Sequence, residues 1–212
     1  MSEQSSAAEV AAMRRELRAR CRALRGAVGE APRESVVANV DRIVDAALHA
    51  GQRGRAAPCI AFYSMIQGEV DLSASMRRAV AAGATAALPV VVAKDQPLVF
   101  RAWTPATRME PGVWGIPVPS DGPEVDPDLL FIPVVGFDDA DFRLGNGGGF
   151  YDRTLAVRSP RPRAIGIGFE CLRLPTIGPQ AHDLPMDLVV TERELDARKL
   201  AAVSAWRGCQ NG

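Results

Sequence analysis

Between Phe137 and Arg153 the chain reads Phe-Asp-Asp-Ala-Asp-Phe-Arg-Leu-Gly-Asn-Gly-Gly-Gly-Phe-Tyr-Asp-Arg, its densest run of residues with chemical potential. Four glycines, Gly145, Gly147, Gly148 and Gly149, fall in five positions around Asn146. Such a loop lets the backbone approach a ligand closely and adopt positive φ. Its successive N–H groups form a nest for an anion, and a helix opening at Tyr151 adds the positive end of its dipole. Arg143 brings a full charge to the same anion. A glycine-rich surface turn is the plainer reading of Gly-x-Gly alone. The flanks argue against it, with Arg143-Leu144 before the loop and Phe150-Tyr151-Asp152-Arg153 after it. No Gly-Lys-Ser/Thr follows, so this is not a Walker loop, and its position after a late strand does not suit a dinucleotide fingerprint.

Other candidates lie far off in sequence. Arg14 and Arg18 are spaced i, i+4 and share one helix face. Their plainer reading is a solvated basic face, since Arg15, Arg20, Arg22 and Arg25 are close by. Asp152 reads as an acid favoured by a helix N-terminus, and Glu69, after Gly68, as a solvated loop acid. His182 beside Asp183 reads as a turn pair.

The elements that must position these residues follow from pattern. Composition and periodicity predict helices over about 9–27, 32–50 and 72–82. Short apolar runs predict strands at 59–63, 85–92, 98–103, 129–135, 164–169 and 188–191. A Pro- and Gly-rich stretch, 104–128, reads as mostly loop. A helix begins near Tyr151, and a last one is expected over about 192–206. Apolar strands alternating with helices predict an α/β fold: a single three-layer domain over 9–212, its largely parallel central sheet flanked by helices, with an N-terminal helical pair. Residues 1–8 are expected to be disordered. In such a sheet the glycine loop, following the most apolar strand, lies at the carboxyl ends where ligands bind.

Composition excludes several classes. The 25 Lys and Arg cancel the 25 Asp and Glu, which argues against a sequence-independent nucleic-acid binder. Cys21, Cys59, Cys171 and Cys209 form no C-x-x-C pair, so neither a zinc site nor a redox motif is supported. The N-terminus has no basic then apolar leader, and no apolar run reaches the ~20 residues of a membrane span. A cytoplasmic protein acting as a monomer on small molecules, without membrane or nucleic-acid partners, is expected.

Five motifs in order resemble one family. Arg143-Leu144-Gly145-x-Gly147-Gly148-Gly149-Phe150-Tyr151-Asp152-Arg153 looks like the signature loop of the 5-formyltetrahydrofolate cyclo-ligase family, also called 5,10-methenyltetrahydrofolate synthetase. Arg14-x-x-Leu17-Arg18 is similar to its basic helix motif, and Ser64-Met65-x-x-x-Glu69-Val70-Asp71 to the loop after its first strand. Trp114-Gly115-Ile116-Pro117-x-Pro119 and His182-Asp183-x-x-Met186-Asp187-x-Val189-Val190-Thr191-Glu192 match its later motifs.

The resemblance implies a reaction: ATP- and Mg²⁺-dependent closure of 5-formyltetrahydrofolate to 5,10-methenyltetrahydrofolate with release of ADP and phosphate. It implies that Arg14, Arg18, Arg143 and the segment Leu144, Gly145, Asn146, Gly147, Gly148, Gly149, Phe150 and Tyr151 hold ATP. Arg143 and Arg18 would stabilise the transferring phosphoryl group, while Asp152 and Asp183 would bind Mg²⁺. The reduced folate would meet Tyr63, Met65, Glu69, Trp114, Asn146, the three glycines Gly147–Gly149 and Phe150. The sequence departs from the common family pattern at Val90, Val118 and Leu172, which keeps a second function open: a catalytically silent nucleotide- or folate-binding relative with a regulatory role.

Overall fold

The computed structural model describes residues 2–51, 57–195, 198, 200 and 201. Two long helices lead, α1 (Ser2–Gly26) and α2 (Glu30–Gly51). Helix α1 begins well before Glu9, inside the stretch expected to be disordered; Ala7 and Ala8 let the helix extend that way. Then come β1 (Cys59–Ala61), α3 (Ser73–Ala81), β2 (Thr85–Val90) and β3 (Val99–Trp103). The stretch expected as loop holds a small hairpin, β4 (Met109–Pro111) with β5 (Pro117–Pro119), joined by a one-turn 3₁₀ helix at Val113–Gly115. Next are β6 (Leu129–Pro133), β7 (Gly136–Asp138), β8 (Arg143–Leu144), α4 (Phe150–Val157), β9 (Arg163–Ile167), β10 (Arg173–Leu174) and β11 (Leu188–Val190). Of the expected last helix, residues 192–195 are not helical, 198, 200 and 201 are, and the remainder lies outside the described residues.

The central sheet has the order β11-β9-β6-β1-β2-β3, parallel throughout except for β3, which runs back along β2. Its middle strands are apolar over their whole length: Leu129, Leu130, Phe131 and Ile132 of β6 are all buried, as are Ile60 and Ala61 of β1. A parallel sheet covered by helices requires that pattern. From β1 the chain moves outward to β2 and β3, then returns to β6 on the other side of β1 and continues to β9 and β11. That reversal makes the carboxyl ends of β1 and β6 the topological switch point, the crevice where open α/β sheets receive ligands.

Beyond β6 the chain builds a second sheet, β10-β7-β8, that the sequence pattern does not reveal. Asp138 organises it. This buried carboxylate accepts N–H groups from Ala140 (3.2 Å) and Phe142 (3.1 Å) through one oxygen and from Ile177 (3.1 Å) through the other. The tight turn this makes, with Asp141 at φ 61°, delivers Arg143 on a strand and not on the loop.

Candidate active site

Both halves of the switch point carry expected site residues. After β1 the chain makes a turn in which Gln67 and Gly68 have positive φ and the Glu69 N–H closes on the Ile66 carbonyl at 3.0 Å. Glu69 is folded inward under this turn, 4% exposed, with Oε2 accepting the Ile66 N–H at 3.1 Å. Burial pushes its carboxyl up to about 7, against the opposing pull of the Ile66 N–H and of Arg25. Met65 and Trp114, expected as walls for the folate, stand largely exposed at 48% and 72%. Phe150 lies beneath Trp114 in an edge-on contact at 5.8 Å, with the Arg153 guanidinium 5.0 Å from its centre. Tyr63, expected against a ligand, sits in the core with its hydroxyl donating to the Val70 carbonyl at 2.8 Å.

After β8 comes the glycine loop. Gly147 has φ +103° and Gly149 φ +64°, and Gly149 caps α4 in the left-handed conformation. A side chain at either position would be strained. Asn146, Gly147 and Gly148 are exposed, while Leu144 is buried and Tyr151 half-buried, with burial pushing the Tyr151 hydroxyl well above its ordinary range.

Helix α1 lies along this loop. Arg18 Nε donates to the Gly145 carbonyl at 2.8 Å and its guanidinium sits under Gly147; Arg22 Nη2 donates to Asn146 Oδ1 at 2.9 Å. Neither has a carboxylate partner among the described residues. Burial, followed by the nearby charges of Arg14 and Arg22, makes Arg18 hold its proton less firmly than usual, so positive charge is crowded here.

The other two arginines are paired. Arg14 makes an ion pair with Asp183 and donates from Nε to the Ile177 carbonyl at 3.1 Å. Arg143 Nη2 lies 2.7 Å from Asp152 Oδ1, and its Nη1 donates to the Leu184 carbonyl at 3.0 Å. The Leu184 N–H returns to Asp152 Oδ1 at 3.0 Å. Leu184 therefore locks the segment carrying Asp183 against Asp152 and Arg143, so the two acids expected on metal meet two of the three arginines expected on phosphate as pairs. His182 is exposed beside them. The sequence missed Arg22, Arg25 and the main chain of Leu184. The first two had a signal: 14, 18, 22 and 25 advance by four, four and three, the steps of a single helix face.

The acids suit a hard cation in one way. The Leu184 N–H and the Arg143 ion pair both fall on Asp152 Oδ1, and Asp183 takes Arg14 and the Gln180 N–H on Oδ2. Mg²⁺ takes one or two carboxylates with phosphate oxygens and water completing its shell, and this pair fits that arrangement. It does not make a cage alone, since among the described residues no cluster of three or more His, Cys, Asp or Glu could hold an ion.

Fold and geometry define an α/β protein with a cationic, glycine-lined candidate site at the switch point of a largely parallel sheet. A family model described as the 5-formyltetrahydrofolate cyclo-ligase family matches residues 10–192, and the chain belongs to that family of enzymes. A 5-formyltetrahydrofolate cyclo-ligase of Haemophilus influenzae is 31% identical over 144 residues, covering 64% of this chain and 77% of the relative. The solution structure of a 5,10-methenyltetrahydrofolate synthetase from Aquifex aeolicus matches with a TM-score of 0.65 at 26% identity, over 86% of this chain and 91% of that one. A synthetase of the same name from Mycoplasma pneumoniae shares the fold, with a TM-score of 0.63 at 20% identity over 85% of this chain and 99% of that one. Among the described residues no helix is long and apolar enough to cross a membrane.

Proposed function

We propose that this chain closes 5-formyltetrahydrofolate to 5,10-methenyltetrahydrofolate at the expense of ATP. The observation that carries the reading is the pair Arg18 and Arg22, two cations without carboxylate partners among the described residues, held against the glycine loop through the Gly145 carbonyl and the Asn146 side chain. This arrangement suits a polyphosphate and little else in a protein of zero net charge.

In the reaction the N5-formyl oxygen attacks the γ-phosphorus of ATP, and the bond from that phosphorus to the β,γ-bridging oxygen breaks, releasing ADP. N10 then attacks the activated formyl carbon. The carbon–oxygen bond breaks with loss of phosphate, N10 gives up its proton to solvent, and the methenyl bridge remains. The residues do the work of positioning and charge stabilisation, with no covalent step on the protein. Arg18, Arg22 and the Gly145–Gly149 amides hold phosphates, with Arg14 adding its charge from the same face of α1 and Arg143 from β8. Asp152 and Asp183 would hold Mg²⁺, which when bound neutralises the phosphate oxygens and polarises the transferring group. Glu69 accepts from N–H donors of the pterin, under walls formed by Met65, Trp114 and Phe150.

The test is a near-ultraviolet assay with purified protein, 5-formyltetrahydrofolate, Mg²⁺ and ATP, each omitted in turn. Growth of the conjugated methenyl chromophore in the complete mixture alone is the expected result. ATP binding by folded protein without that growth would instead indicate a silent relative.

Glu69 gives the reaction a pH dependence of known sign. Its carboxyl loses its proton near 7 and only the carboxylate accepts two pterin N–H groups, so folate binding weakens as pH falls. KM for the folate is expected to rise by about tenfold per pH unit well below that point and to level off above it. ADP release followed from about pH 5.5 to about pH 8.5 checks this. KM for ATP is expected to stay nearly flat over the same range, and a folate KM that is equally flat would remove Glu69 from the pterin.

A further inference from the structure

One buried cation in this region has no part in phosphate binding. Arg25, in the last turn of α1, is 1% exposed. Among the described residues the guanidinium makes one hydrogen bond, from Nη1 to the carbonyl of Val134, the residue just after β6, at 3.3 Å. The same nitrogen lies 3.8 Å from Glu69 Oε1, in the loop after β1. Nε and Nη2 are buried without an acceptor. The side chain thus spans the two loops of the switch point.

Stability alone does not account for this residue. Burying a guanidinium is costly, unanswered donors add to the cost, and an apolar side chain of similar volume in place of a buried ion pair is often as stable or more so. Its neighbours show what it supplies. From α2, Arg33 spends its donors on main-chain carbonyls, those of Gly68 at 3.0 Å and Glu69 at 3.4 Å among them. On the loop itself, the Tyr63 hydroxyl donates to the Val70 carbonyl, and Glu69 and Asp71 both oppose its ionisation. From α4, Tyr151 brings a group whose ionised form would repel Glu69. Arg25 is therefore the cation that faces the Glu69 side chain among the described residues.

We propose that Arg25 is the positioning residue for Glu69, acting with the Ile66 N–H to hold its carboxyl in place and favouring its ionised form across the join between the two loops. The proposal rests on the reading above that Glu69 receives the folate. The wall of apolar and phenolic groups would otherwise leave a buried carboxyl that takes up a proton, and a protonated Glu69 presents a donor where the pterin also presents donors.

The experiment titrates the Glu69 carboxyl in substrate-free protein by NMR with ¹³C-labelled glutamate. The signal is assigned by its loss in Glu69→Gln. Arg25→Met and Arg25→Gln remove the charge, and Arg25→Lys keeps it. The expected result is a midpoint raised by about one pH unit or more in the first two, with partial return in Arg25→Lys. The acid limb of the folate KM profile moves by the same amount while KM for ATP stays within about twofold. A midpoint unchanged in both neutral variants overturns the proposal, as does an equal rise of both KM values with the profile unmoved. Should Glu69→Gln leave the folate KM unaltered, the folate role of Glu69 fails instead, and the titration alone decides whether Arg25 governs the carboxyl.

Discussion

Arg143→Ala is expected to lower kcat/KM by about 10³-fold or more, the range seen when a cation is removed from a transferring phosphoryl group. Three contacts disappear at once. The phosphates lose a charge, Asp152 loses the guanidinium 2.7 Å away, and the Leu184 carbonyl loses its 3.0 Å donor. The last two hold the segment bearing Asp183 against α4, so the defect also loosens the far wall of the site. Arg143 is buried, its side chain 4% exposed, whereas that of Asp152 is 18% exposed. Breaking a buried pair costs about 3–5 kcal/mol, and the partly wet Asp152 brings the expected loss toward the lower figure. Urea melts measure that cost separately from catalysis. Arg143→Lys separates the two further: it keeps the charge but cannot meet Asp152 and Leu184 together, so it is expected to fold and still lose about 10²-fold. Full activity in purified Arg143→Ala would remove Arg143 from the assigned site.

The pairing of arginines with acids explains why the site was only half legible in the sequence. The glycine loop, the basic helix and the strand that delivers each loop announce themselves by local composition and by periods of 3.6 and 2. Helices α2 and α3 and strands β2, β3, β6, β9 and β11 lie within a few residues of their expected bounds for the same reason. Strands β7, β8 and β10 have two or three residues each, too short for any period, and are held by one side chain, Asp138, whose three N–H partners span residues 140 to 177. The β4–β5 hairpin hides likewise behind its prolines, its turn set by Gly112, where a Cβ would strike the side chain of Val118 at 2.9 Å. Val118 thus packs that turn, giving one of the three departures from the family pattern a structural role.

Side-chain partners are further still from what a sequence displays. Nothing near Asp183 indicates that Arg14, 169 positions away, is its counter-charge. Tyr63 has the composition of a ligand wall, yet its hydroxyl is satisfied by Val70, and that closure makes it core. Glu69 reads as a solvated acid because its cation, Arg25, comes from a distant part of the chain, and the Ile66–Gly68 turn beside it does not show from composition that it folds the carboxyl inward. Burial reverses what such a residue does: a solvated carboxylate is charged throughout the neutral range, while this one changes charge within it.

Arg18→Met separates charge that serves the fold from charge that serves the ligand. Arg18 is half-exposed, has no carboxylate partner among the described residues, and shares its surroundings with Arg14 and Arg22. Like charges so close repel in the free protein, Asp183 offsets this only in part, and an arriving anion relieves the rest. Removing the Arg18 charge is therefore expected to leave the Tm of the free protein nearly unchanged, the lost hydrogen bond to Gly145 offsetting the relieved repulsion. The Tm rise on adding MgATP is expected to shrink sharply, because ligand stabilisation follows affinity. In turnover kcat/KM for ATP is expected to fall by about 10²-fold to 10³-fold, with Arg18→Lys recovering part of it. A purely structural arginine would give the reverse pattern, a lower Tm for the free protein with the MgATP increment intact. The two quantities come from the same thermal melts, with and without nucleotide, and the sign of the first against the size of the second distinguishes a phosphate ligand from a strut between α1 and the glycine loop.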